Sequence, residues 1–188
     1  LNTRELTGIA GVLAAARAAK SYAAGDGKRE KTCIDYLFQS LQANRYLEDK
    51  ITSSIAGEDE IADAASAELA NIRRLIRAAS ARVRDALQKI ISSPSYAKAL
   101  QDPIITTRSE RYVVPVKAEF KNAVPGLVHD VSSSGATLFV EPMAAVKANN
   151  ELRELRAREK AEIERILAEL SADCAEHADG ISLDFDLL

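Results

Sequence analysis

Two spacings of apolar residues alternate along this chain, and the change from one to the other marks its elements. From about Glu60 to Ile91 there is no Pro or Gly, and Leu69, Ile72, Ile76, Ala79, Val83, Ala86 and Ile90 recur in steps of three and four. Such steps keep one narrow stripe on one side of an α-helix, a seam of coiled-coil type. At 1.5 Å per residue the helix would be a rod of roughly 48 Å. A rod of that length cannot bury its own stripe and needs a partner. The partner is expected from Pro142 to about Ala178, again free of internal Pro and Gly, with Val146, Leu152, Leu155, Ile163, Ile166 and Leu170 on its apolar side. Pro142 suits a first helical position and Gly180 a stop.

Two further helical stretches precede the first rod. Leu6, Ile9, Leu13 and Ala16 repeat at helical spacing over Arg4 to about Tyr22, and Asn2 with Glu5 reads as a capping box. Gly8 and Gly11 weaken this helix, and Gly25 and Gly27 end it in a loop, "AAGDGKREK". A second stretch runs from about Thr32 to Ser54 with a break near Asn44, its stripe formed by Ile34, Leu37, Leu41 and Leu47. "AGEDE" at 56–60 then places carboxylates in the first turn of the rod that follows, where the helix dipole favours them.

Between the rods the period drops to two. "PIITTRSERYVVPVKAEF" (103–120) and "VPGLVHDVSSSGATLFVEP" (124–142) are rich in β-branched residues and punctuated by Pro and Gly. Over 111–117, Tyr112, Val114 and Val116 share one face, and Arg111, Val113, Pro115 and Lys117 share the other. Pro115 points to an edge strand or a bulge. The fold class is therefore mainly α with a small β insertion: two long antiparallel helices carry a β module at their far end, beside short core helices.

Composition narrows the function classes. The 188 residues carry a net charge of −3, so nucleic-acid contact requires a local basic patch. Cys33 and Cys174 are the only cysteines, without a CxxC or Cys/His cluster, which fits a reducing cytosol and argues against a disulfide scaffold or a zinc site. The longest apolar run, "IAGVLAAA", is too short to span a bilayer, and no signal peptide is recognisable. The abrupt start and finish read as those of a fragment.

His129, Asp130 and Ser132 to Ser134 supply the ingredients of a hydrolase within six residues. Neighbours on a strand point to opposite faces, so Asp130 cannot orient His129, and no G-x-S-x-G elbow is present. The segment reads as a hairpin: "LVHDV" and "ATLFV" are strands joined by "SSSG", with Gly135 supplying a positive φ. "SYAK" at 95–98 matches S-x-x-K without its companion motifs. "GDGKRE" at 25–30 lacks the first glycine of a phosphate loop and has Arg29 where Ser or Thr belongs. The carboxylates of 151–176 interleave with arginines, as on a solvated helix face. Asn150 either sits in the seam, where it would set register, or faces solvent.

The run R-Y-V-V-P-V-K (111–117), then G-L-V-H-D-V-S-S-S-G-A-T-L-F-V-E-P (126–142), then N-N-E-L-R-E-L (149–155), closely resembles the second bacterial branch of the MutS family. "EDEIADAASAELANIRRLIR" at 58–77 resembles the same family's preceding rod, and 1–57 its helical core more loosely. The resemblance implies a core helical segment at 1–57, a first lever helix and connector at 58–102, a β-rich clamp at 103–142, a second lever helix at 143–179 and a returning core segment from 180. It implies, for the whole protein, a homodimeric, cytoplasmic ATPase using ATP and Mg, commonly with an Smr endonuclease domain. That protein would act on branched or double-stranded DNA to suppress homologous recombination, or on ribosomal RNA to rescue collided ribosomes. A third reading makes this segment a structural dimer and lever scaffold. The chain itself carries none of the family's ATPase or Smr catalytic residues, so no catalysis and no cofactor is assigned to it. For a clamp, the candidate phosphate contacts are Arg108, Arg111, Lys117 and Lys121, with Ser132, Ser133 and Ser134 as hydrogen-bond donors. Glu110, Glu119, Asp130 and Glu141 offset those cations, so weak binding without base specificity is expected.

Overall fold

The computed structural model describes residues 1–25 and 32–188. In chain order the elements are α1 (Thr3–Ala24), α2 (Asp35–Ser40), α3 (Arg45–Ser54), β1 (Ile55–Gly57), β2 (Glu60–Ile61), α4 (Ala67–Ile91), β3 (Thr106–Arg108), β4 (Arg111–Lys117), β5 (Gly126–Val131), β6 (Thr137–Pro142), α5 (Met143–Glu176) and α6 (Ala178–Leu187). The protein is mainly α with a small antiparallel β part. No helix among the described residues is long and apolar enough to cross a membrane. The chain divides into two compact units, one of residues 1–70 and 161–188, the other of 71–160.

In the first unit the Asn2 side chain accepts from Glu5 N while the Glu5 carboxylate accepts from Asn2 N, each at 2.8 Å, completing the capping box of α1. The break near Asn44 is also present: its side chain caps α3 by accepting from Leu47 N. Leu6, Leu13, Leu47, Ile51, Leu69, Ile166 and Leu170 form the core of this unit, each almost fully buried. Gly8 and Gly11 lie inside α1 with open space around them, so the helix accommodates them and packs through its other face. Residues 26–31, and with them most of "GDGKRE", lie outside the described residues.

Several helix ends differ from the sequence expectation: Pro142 closes β6 and α5 starts at Met143, and the stretch expected from Thr32 starts at Asp35. The first long helix starts at Ala67 rather than Glu60, because Ser66 is its cap: Ser66 Oγ accepts from Leu69 N at 2.9 Å and donates to Glu162 at 2.7 Å. Residues 55–61 instead form the β1–β2 ribbon, whose turn is held where Thr3 Oγ1 donates to Glu58 O. Gly180 does not stop a helix but lies within α6. A Cβ there would stand 2.8 Å from Gln42 Oε1, the free end of an exposed side chain that can swing aside. Ion pairs line the surface of this unit. Lys50 bridges Glu169 and Asp173 at 2.7 Å each. The Arg165 guanidinium and the Ser66 hydroxyl hold the Glu162 carboxyl down at a pKa of about 2.

In the second unit the seam of α4 pairs with α5. Ala79 packs with Leu152 and Leu155, flanked by Leu75 and Ile76. Arg73 pairs with Glu159 at 2.7 Å and Arg82 with Glu151 at 2.6 Å, so the two helices run antiparallel over this stretch. Of the two asparagines in α5, the buried one is Asn149; Asn150 is exposed. The sheet has the order β3-β4-β6-β5 and is antiparallel throughout. Val114, Val116, Leu138 and Val140 on its inner face pack against Val83, Leu87 and Ala145, forming a core that includes Leu100.

β4 is not an edge strand, which corrects the reading of Pro115. It pairs with β6 on one side, Pro115 facing Phe139, and on the other side Pro115 O accepts from Gln101 N at 2.9 Å. The amide nitrogen and carbonyl of one strand residue face the same neighbour. The donor that proline lacks therefore falls on the side of the single Leu100–Val116 bridge, and the β6 ladder stays whole. The β5–β6 hairpin turns through Ser132 to Gly135, where Gly135 has φ 74°.

Candidate nucleic-acid interface

The strand alternation of β4 places Arg111, Val113, Pro115 and Lys117 on the outer face of the sheet, but the two cations meet different surroundings. Arg111 is drawn inward. Its Nη1 donates to both Glu141 oxygens, at 2.7 and 3.0 Å, and its Nη2 donates to Asn150 Oδ1 at 2.6 Å. Glu141 is completely buried and also meets His129 Nε2 at 2.5 Å and Asn149 Nδ2 at 2.8 Å. Asn149 closes the cluster on the backbone of β4, donating to Tyr112 O and accepting from Tyr112 N. A buried carboxylate is tolerable when paired and hydrogen-bonded on every side, and this one ties β4, β5 and β6 to α5.

The β-bulge at His129 makes this possible. It breaks the alternation of β5 between Val128 and Asp130, so His129 reaches Glu141 while Asp130 accepts from its neighbour Val131 N and pairs with Arg108 at 3.3 Å. His129 and Asp130 do not meet as a catalytic pair. Arg108 lies over the Phe139 ring, 4.1 Å from its centroid, so a cation–π contact and an ion pair hold it against the sheet.

The serines divide in the same way. Ser132 Oγ accepts from Thr137 N at 3.0 Å, and Ser134 Oγ accepts from Ala136 N at 3.4 Å. Both hydroxyls serve the turn, whereas Ser133 stands exposed at its tip. Lys117 lies opposite Thr137, and Ala118 N donates to Ala136 O at 2.9 Å, so the end of β4 runs alongside the base of that turn. From there a 3-10 turn, Ala118–Phe120, leads to the exposed Lys121. Neither lysine forms an ion pair among the described residues. One end of the sheet thus gathers Lys117, Lys121 and Ser133, while Arg108 and Arg111 are engaged elsewhere.

Sequence reasoning missed two participants. Lys98 belongs to the "SYAK" run, where it looked incidental. Yet Lys117 N donates to Ala99 O at 2.9 Å, which brings the exposed Lys98 beside the same sheet end. Glu141 counted only as a charge offsetting the cations. What covers it is Arg111, His129 and Asn149, which lie far from it in the chain or on the helix that follows. Among the described residues no group of three or more His, Cys, Asp or Glu is placed to hold a metal ion.

No family model matches the chain. Curated relatives do. A protein named Endonuclease MutS2 from Acetivibrio thermocellus is 48% identical over 190 residues, covering 100% of this chain and 24% of the relative. Its namesake from Pelotomaculum thermopropionicum is 50% identical over 188 residues, again 100% of this chain and 24% of the relative. That from Alkaliphilus oremlandii is 50% identical over 183 residues, 96% of this chain and 23% of the relative. The chain spans about a quarter of the length of the curated relatives it matches. Near-half identity over the whole of its length makes this chain a member of the MutS2 branch of the MutS family.

Proposed function

We propose that the sheet of residues 103–142 is a clamp that grips the sugar-phosphate backbone of branched or double-stranded DNA, and that α4 and α5 are the levers that carry it. The observation that carries this reading is the grouping of Lys117, Lys121 and Ser133, with Lys98 beside them, at one end of the sheet. Mobile ammonium groups suit phosphate, since they neutralise charge without demanding one geometry. Arg111 then acts through Glu141 and keeps the strand in place, rather than touching nucleic acid. The names of the relatives support an endonuclease as the whole protein. In it the levers would pass the nucleotide state of an ATPase, fed by ATP and Mg, to the clamp, and the protein would act as a cytoplasmic homodimer that suppresses recombination.

The test is a titration of branched DNA against the wild-type chain and Lys117→Glu/Lys121→Glu at several salt concentrations. The variant is expected to bind more weakly and with a salt slope smaller by about two, one unit for each lysine that no longer neutralises a phosphate. Equal affinity and slope in both proteins would sink the reading. Ribosomal RNA offers the same phosphate chemistry, and competition between branched DNA and ribosomes for the full-length protein separates the two targets. The dimer-scaffold reading draws on the α4–α5 seam. Sedimentation of the chain with and without DNA tests it, because dimers indifferent to DNA would favour it.

A further inference from the structure

Phe120 is 36% exposed and stands outside the core cluster of its unit, although a phenylalanine is among the side chains most often buried. Its position is fixed. The 3-10 turn that carries it starts from Lys117 at the end of β4, Ala118 N is anchored on Ala136 O, and Ala123 N donates to Phe120 O at 2.9 Å. Lys121 follows directly, and Lys98 precedes Ala99, whose carbonyl accepts from Lys117 N at 2.9 Å. A 3-10 turn has three residues per turn, so Glu119 and Lys121 leave it about 120° to either side of Phe120. A partly exposed aromatic side chain between Lys117 and Lys121 in the chain, on an anchored turn, suits a nucleic-acid strand whose bases are free to stack. Fully paired duplex keeps its bases stacked internally and offers such a ring nothing but phosphate.

We propose that Phe120 is a stacking platform for an unpaired base, with Lys98, Lys117 and Lys121 holding the flanking phosphates, so that this surface prefers single-stranded or junction segments to continuous duplex. This rests on the clamp reading above and adds the class of nucleic acid it selects.

Fluorescence anisotropy of the 188-residue chain tests it, with a short oligothymidylate, an oligouridylate of the same length and a blunt duplex as probes. Phe120→Leu, which keeps the apolar contact without the π face, is expected to weaken oligothymidylate or oligouridylate binding about tenfold, to leave duplex binding within about twofold, and to be rescued by Phe120→Tyr. The two single-stranded probes distinguish DNA from RNA as the source of the base. An unchanged single-strand affinity in Phe120→Leu, or an equal loss on duplex, overturns the proposal. If Lys117→Glu/Lys121→Glu weakens all three probes while Phe120→Leu weakens none, the clamp reading stands and this inference falls. If the lysine variant weakens none, the clamp reading itself falls.

Discussion

Glu141 Oε1 lies 2.7 Å from Arg111 Nη1, and the Glu141 side chain has no exposure to solvent. The pair sits where three strands meet the start of α5, so it fixes the sheet to the helix that follows. Of the cations suggested by the sequence, the one most firmly placed is therefore the one least free to meet a phosphate.

Removing one partner of a buried pair leaves the other unpaired in a dry site, which costs about 3–5 kcal/mol. Glu141→Ala is expected to destabilise the chain by that amount in urea denaturation, and Arg111→Ala by somewhat less because Arg111 keeps 14% of its side-chain exposure. Lys117→Ala, on a side chain without an ion pair, is expected to stay within about 0.5 kcal/mol of wild type. Equal small effects at all three positions would show that the cluster contributes little.

What the sequence made legible was what local spacing and local caps encode. The seam Leu69–Ile72–Ile76–Ala79–Val83, the Asn2–Glu5 box and the Ser132–Gly135 turn each follow from residues a few positions apart. Its failures have one physical source, since they depend on residues far apart in the chain. Ser66 starts α4 with Glu162 behind it, and Glu141 is buried because Asn149 and Arg111 cover it. At the candidate interface the sequence identified Lys117, Lys121 and Ser133 as cations and donor. It could not tell free side chains from committed ones, because the carboxylates that engage Arg108 and Arg111 lie 22 and 30 residues away.

The β3–β4 turn stores backbone strain. Arg108 and Arg111 face each other across it, leaving Ser109 and Glu110 as the two central residues, both left-handed with φ 47° and 62°. Two-residue hairpin turns of this hand favour Asn-Gly. Ser109→Asn/Glu110→Gly is expected to stabilise the chain by about 1 kcal/mol, seen as a higher midpoint of thermal unfolding. The hydrogen bond from Arg156 Nη1 to Glu110 O uses only backbone at position 110 and survives the change. A lower midpoint would mean the Glu110 side chain stabilises the turn in a way the backbone does not reveal.

Gly126 begins β5 where the neighbouring strand leaves no room. A Cβ there would stand 2.2 Å from Glu141 O, closer than any van der Waals contact allows. Gly126→Ala is expected to push the start of β5 off β6 and to cost about 1–3 kcal/mol. Hydrogen exchange should localise the damage. Amides of β5 and β6 are expected to lose protection while those of α1 and α3 keep theirs, and uniform loss would contradict this account.

Acid should weaken the ion pairs of the unit that contains Glu162. Arg165 and Ser66 hold the Glu162 carboxyl at about 2, Lys50 and Arg165 lower that of Glu169, and Arg17 lowers that of Glu48. A carboxyl whose pKa is lower folded than unfolded binds fewer protons in the native state. Its contribution is fully present above the unfolded value near 4.3 and is lost as pH falls through the folded one. Thermal unfolding midpoints are therefore expected to be flat from about pH 7 to 5 and to fall steadily from about pH 4.5 towards 2. Glu162→Gln should begin lower and fall less steeply over the same window, since the group that titrates is gone while Ser66 keeps a hydrogen-bond acceptor. Parallel curves for the two proteins would show that the Arg165–Glu162 pair, exposed on its arginine side, is screened by solvent and adds nothing to stability.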